Sequence, residues 1–169
     1  MLETMTTVAF VGLMGAAMVS DVRTERIPNV LILAGLVLGL ALRGLGGWDL
    51  LLLSVAGALV ALLVTVPLFA LGAIGGGDAK LFAVVGAFMG PKGFAAALLA
   101  SAVVGGVLAI VVTVRRGVLL PVLLSCRDLL LRALTLGRFG ERLTLATPGA
   151  ITIPYGVAIA VGSIAVWFI

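Results

Sequence analysis

The sequence predicts an all-α membrane protein, a bundle of six transmembrane helices forming a single domain over residues 1–169. Three observations lead there. Hydrophobic residues make up 63% of the chain and charged ones only 11%, with a mean hydropathy of +1.36, whereas a soluble domain carries about a quarter charged residues. Apolar stretches of roughly membrane-crossing length recur along the chain, with most charges and several prolines gathered between them. The 23 glycines are dispersed, as small residues are where membrane helices pack backbone to backbone.

The spans follow in order. The first covers about 4–20; Met1-Leu-Glu-Thr lacks a basic leader region and Glu3 has the wrong sign for one, so this is read as a retained span. The second covers 29–46 and the third 50–74, where Pro67 is expected to kink the helix. A fourth, 79–90, is short and runs into the Gly-Pro-Lys-Gly turn at 90–93; the fifth is 94–114 and the sixth 150–168. Between the last two, 117–136 is apolar but broken by Pro121, Arg127, Asp128 and Arg132. It is either a helix lying in the membrane interface or a partly ordered basic loop.

Charge sets an orientation. The loops at 21–28, 75–80 and 115–147 hold Arg23, Arg26, Lys80, Arg115, Arg116, Arg127, Arg132, Arg138 and Arg142, nine of the 11 basic residues, against Arg43 and Lys92 on the other side. Basic loops stay in the cytoplasm, so both termini are expected outside it. This topology also accounts for the net charge of +4 without nucleic acid as a partner. The lipid bilayer is the partner that composition requires.

Absences narrow the chemistry. The chain has no histidine, and Cys126 is its one cysteine. Ser-His and Cys-His catalysis, a His-ligated metal, a Cys-x-x-Cys zinc site and an internal disulfide are excluded, and no metal or cofactor is expected. Cys126, beside an apolar run, reads as a small hydrophobe.

The carboxylates remain. Glu3, Asp49 and Glu141 occupy terminal or loop positions, and Glu25 and Asp128 have arginine neighbours. Asp21 and Asp78 differ: one closes the first span, the other opens the fourth directly after Ile74-Gly-Gly-Gly. An ionisable group at the edge of a span is a functional candidate. Aspartate is also a good helix N-cap, which is the plain alternative for Asp78; at the end of a helix, Asp21 opposes the dipole unless it caps the next helix. Two spans separate them, so both return to one membrane face. Neighbouring carboxylates cannot easily both ionise; they share a proton and titrate as a unit. Such a pair can hydrolyse a peptide bond by acid–base catalysis with no histidine, cysteine or metal. Gly75, Gly76 and Gly77 would let a substrate backbone approach, or simply make a flexible turn.

Two stretches resemble a known family. Asp21-Val-Arg-Thr-Glu-Arg-Ile27-Pro28-Asn29 is similar to the D-x5-I-P-N element of the prepilin peptidases, and Gly75-Gly-Gly77-Asp78-Ala-Lys80 to their G-x-G-D-x-K element. Ile153-Pro-Tyr155-Gly156 resembles the proline-glycine segment that opens the family's last span. The resemblance implies an aspartic peptidase of the inner membrane that removes the short basic leader of prepilin-like proteins at the cytoplasmic face, with Asp21 and Asp78 matching the catalytic pair. Larger members carry a four-cysteine zinc element and methylate the new N-terminus. One cysteine here points instead to the compact Flp/Tad-type form, with archaeal preflagellin peptidases similar in size.

Other residues carry open readings. Pro28 suits the first turn of the second helix. Asn29 either caps that helix or donates toward Asp21. Lys80 either eases the charge of the site or snorkels to the interface. Tyr155 either reaches the site or anchors its span. Two other functions compete. A small ion- or proton-coupled transporter would use both aspartates, but leaves the D-x5-I-P-N spacing and the glycines unexplained; a non-catalytic secretion component is the other. The remaining G-x-G-D intramembrane proteases pair that motif with Tyr-Asp, whereas Ser20 precedes Asp21 here.

Overall fold

The computed structural model describes residues 1–116 and 155–169. Among these residues there are five helices and no strand: α1 Leu2–Thr24, α2 Asn29–Leu45, α3 Trp48–Ala70, α4 Gly76–Arg116 and α5 Tyr155–Trp167. Helices α1, α3 and α4 are long and apolar enough to cross a membrane, and α2 and α5 are shorter apolar helices. The interfacial helix expected over 117–136 and the first residues of the span expected at 150–168 lie outside the described residues.

The spans expected at 79–90 and 94–114 are two limbs of α4, which Gly90 breaks with φ 71° and ψ −179°. Only glycine enters that region without strain, and Pro91 removes the next backbone donor. The second limb folds back along the first. Phe82 and Phe94 bring their ring centroids to 5.9 Å, although 12 residues of straight helix would separate them by about 18 Å. At the far end of the return, a Cβ on Gly105 would lie 2.5 Å from the Tyr155 ring. A helical hairpin therefore stands where two spans were expected.

Among the described residues the first limb is central. Ala79 and every residue from Leu81 to Phe88 are buried, as expected of a helix that is apolar all round. Around it the helices pack through small residues, because lipid supplies no hydrophobic drive for association and close van der Waals contact must serve. Helix α3 turns Ser54, Gly57, Ala61 and Thr65 inward; Gly57 meets the backbone of Gly86, and Ser54 Oγ donates to the Ala87 carbonyl. Helix α2 turns Ile32, Gly35, Gly39 and Leu42 inward, with Gly35 against Val84 and Gly39 against Phe88. The second limb presents Ser101 to Gly162 of α5. Phe10 and Met14 of α1 join Phe88 and Ile159 in the core. Leu33, Leu59, Leu63, Leu99 and Val103 face outward and exposed, a surface suited to lipid.

Helix ends differ from the expected spans for local reasons. Helix α1 runs past Asp21 to Thr24 and stops at Glu25, a non-glycine residue in left-handed geometry with φ 51° and ψ 26°. Hydroxyls hold that turn: Ser20 Oγ donates to the Arg26 carbonyl at 2.9 Å, and Thr24 Oγ1 lies 2.9 Å from the Ser20 and 3.0 Å from the Arg26 carbonyl oxygens. Pro67 is accommodated inside α3, which ends at Ala70 rather than reaching 74. The two ends of the bundle are distinct. One holds Asp21, Asp78 and Tyr155; the other holds Glu3, Arg43, Lys92 and Trp167.

Candidate active site

Asp21 lies on the last turns of α1 and is only 6% exposed. Its charge opposes the dipole of its own helix, but the first turn of α5 compensates. The Gly156 N–H donates to Oδ2 at 2.8 Å, and the Val157 N–H also reaches the carboxylate. The N-terminus of a helix has unpaired N–H groups and partial positive charge, so it is a natural seat for a carboxylate. Position 156 must be glycine for this contact: a Cβ there would fall 2.7 Å from Asp21 Oδ2 and 2.9 Å from its Cγ.

Asp78 is the third residue of α4. The helix opens at Gly76, the Gly75 carbonyl accepts from the Ala79 N–H at 3.1 Å, and Asp78 Oδ2 accepts from the Gly75 N–H at 3.2 Å. The side chain therefore folds back on the residue before the helix, the acidic half of a capping box, rather than capping from outside. A Cβ on Gly75 would sit 2.8 Å from Asp78 Oδ2, so this glycine too makes room for a carboxylate.

The structure brings both aspartates to one end of the bundle from separate helices. Asp78 lies within the field of the Asp21 charge, and Tyr155 within that of Asp78. Tyr155 is half-buried against Gly105, one residue from the backbone that holds Asp21. A membrane anchor would turn outward; this ring turns in.

The two motif stretches interlock. Ile27, 9% exposed, rests on Gly77, where a Cβ would meet its side chain at 3.6–3.9 Å. Pro28, with φ −61° and ψ 135°, is the residue before α2 and starts the helix through its carbonyl, which accepts from Leu31 and Ile32. Asn29 takes neither role expected of it. It is the first residue of α2, and its Oδ1 accepts from Lys80 Nζ at 3.0 Å. Lys80 is correspondingly tied to Asn29 on the exposed rim. The pairing joins the stretch that follows Asp21 to the helix that carries Asp78.

Sequence reasoning missed the backbone of Gly156 and Val157 as ligands of Asp21. The Ile153-Pro-Tyr155-Gly156 segment was the available signal, but a contact made by a backbone N–H leaves no mark on residue type. Among the described residues no group of three or more Asp, Glu, Cys or His side chains could hold a metal ion.

A family model described as the type IV leader peptidase family matches residues 8–110, a stretch containing both aspartates and both interlocked motifs. The chain belongs to the type IV leader peptidase family. Membership gives it a peptidase role. Comparison with curated proteins and with solved structures returned no match.

Proposed function

We propose that the protein is an aspartic prepilin leader peptidase in which Asp21 and Asp78 activate one water molecule between them. The observation that carries this reading is the convergence of the two carboxylates from α1 and α4, close enough for one charge to act on the other. Each is held by a backbone N–H, from Gly156 and Gly75 respectively, so both are oriented before substrate arrives. Like charges this near favour a single shared proton. The ionised member removes a proton from water as its oxygen attacks the scissile carbonyl, while the protonated member donates to the carbonyl oxygen. Collapse of the tetrahedral intermediate breaks the C–N bond: the proton taken from water passes to the departing amine, and one diol hydroxyl returns its proton to the aspartate that had donated it. Tyr155, within the field of Asp78, would bind the substrate backbone.

In this reading the bundle crosses the inner membrane six times, counting each limb of α4, with the site at the cytoplasmic face and both termini outside. The charge distribution supports it: Arg43 and Lys92, the two basic residues expected on the opposite side, sit at the end remote from the aspartates. The substrate's apolar helix would lie beside the bundle in lipid and hold its leader junction near the pair, a gain in effective concentration. The compact chain fits the Flp/Tad-type form.

Co-expression of the full chain with a Flp-type prepilin tests this reading. Leader removal should occur with the wild-type chain and cease with Asp21→Asn or with Asp78→Asn at equal membrane abundance. Continued cleavage by both variants would reject the pair as catalytic, and a prepilin left intact by the wild-type chain would reject the substrate class.

A further inference from the structure

At the end of the bundle remote from the aspartates lies a cavity of about 380 Å³. Two cations border it, Arg43 of α2 and Lys92 at the break of α4, and Leu50, Leu53 and Met89 form apolar walls. The guanidinium is fixed in place: Nε donates to the Phe88 carbonyl at 2.8 Å, Nη2 donates to the same oxygen, and Arg43 lies 5.8 Å from the centroid of the Trp167 ring. A guanidinium carries five N–H groups, and a single carbonyl leaves several of them available. Lys92 is exposed and, among the described residues, has no hydrogen-bond or ion-pair partner. Two positive charges at one cavity with no acid on its border are poorly arranged for stability but well arranged for an anion.

We propose that this cavity binds the phosphate headgroup of an anionic phospholipid. Arg43 offers the planar fork that matches phosphate oxygens, and Lys92 a mobile point charge. A free phosphate would need only the cations. The apolar walls call for an acyl chain, and Leu52 and Leu53 continue them outward on the surface of α3, each 52% exposed. The exposed Trp48 at the start of α3 is of the type that sits at headgroup level. A second cavity, of about 320 Å³, is bordered by Arg43 and also by Glu3, whose carboxylate disfavours an anion. The lipid thus has one side of Arg43 to occupy. The site is independent of the peptidase chemistry at the other end.

Thermal unfolding of the full chain in a neutral detergent tests the proposal, with phosphatidylglycerol, phosphatidylcholine or inorganic phosphate added. Phosphatidylglycerol should raise the unfolding temperature saturably, phosphatidylcholine much less, and inorganic phosphate little. Lys92→Gln, which changes an exposed and unpartnered side chain, should weaken the apparent affinity for phosphatidylglycerol about tenfold without lowering the lipid-free unfolding temperature. Native mass spectrometry should show one phosphatidylglycerol retained by the wild-type chain and largely lost from this variant. Equal stabilisation by the two lipids, undiminished binding by Lys92→Gln, or an equal effect of inorganic phosphate would overturn it.

Discussion

Asp21 is held by a residue that has no side chain. A methyl group on Gly156 would collide with the carboxylate at 2.7 Å, and the aspartate must move or the head of α5 must shift. Displacements of about 1 Å at a reacting group can cost about 100-fold in rate. Gly156→Ala should therefore lower kcat for prepilin cleavage by roughly 10- to 100-fold, while Gly12→Ala, where the added carbon meets nothing within 4 Å beyond its own helix backbone, should behave as wild type. An unimpaired Gly156→Ala would remove the Gly156 contact from the account. Lys80 permits a milder test. Its bond to Asn29 is exposed, so Lys80→Met should cost less than about 1 kcal/mol of stability by thermal unfolding; any larger fall in activity would come from loosening the joint between the motif stretches. At this scale the sequence was unevenly legible. Asp21 and Asp78 stand out because a charge at the edge of an apolar run is costly. Gly156 does not, since its contribution is an N–H meeting a side chain 135 residues away. The partnership of Asn29 and Lys80 was equally hidden: each had a sound local explanation, and the contact joins different helices.

Helices α3 and α4 meet where two glycines face each other, Gly57 and Gly86. No side chain of any size fits between these backbones. Gly57→Ala should destabilise the protein by about 1–3 kcal/mol, the usual cost of overpacking, read as a lower unfolding temperature in detergent. A neutral result would mean the two helices are less tightly apposed than the contact requires. The pattern that makes α3 pack, Ser54, Gly57, Ala61 and Thr65, is readable in advance as small residues at helical spacing. Helix boundaries are less so. Hydropathy tracks the lipid-facing surface, whereas α1 continues past Asp21 because Ser20 and Thr24 bind the turn beyond it. The Gly90-Pro91 dipeptide announced a break; that one residue suffices to reverse the chain depends on Phe94 packing back on Phe82.

Across the whole molecule, polarity runs from end to end. The aspartates and Tyr155 share one end, and Arg43, Lys92 and Trp167 share the other. The charge asymmetry of the loops anticipates this division, because it depends on composition rather than contact. It also predicts which end meets the cytoplasm. In a Cys126→Ser background, a membrane-impermeant thiol reagent applied to intact cells should label Lys92→Cys and spare Arg26→Cys, with the second labelled only after the membrane is opened. Labelling of both from outside would contradict their placement on opposite faces of the membrane. What no sequence pattern disclosed was Arg43. It counted only as a charge on the minority side, yet its guanidinium binds the Phe88 carbonyl where the first limb of α4 ends.

The central claim, that Asp21 and Asp78 work as one catalytic unit, is tested most directly by purified enzyme and a prepilin substrate. Cleavage rates would be compared for the wild type, Asp21→Asn, Asp78→Asn and the double variant, each verified as folded by its unfolding temperature. Groups that act together are non-additive, so either single change should remove essentially all cleavage and the second should remove no more. A folded single variant that cleaves at near the wild-type rate, or losses that simply multiply in the double variant, would contradict the account.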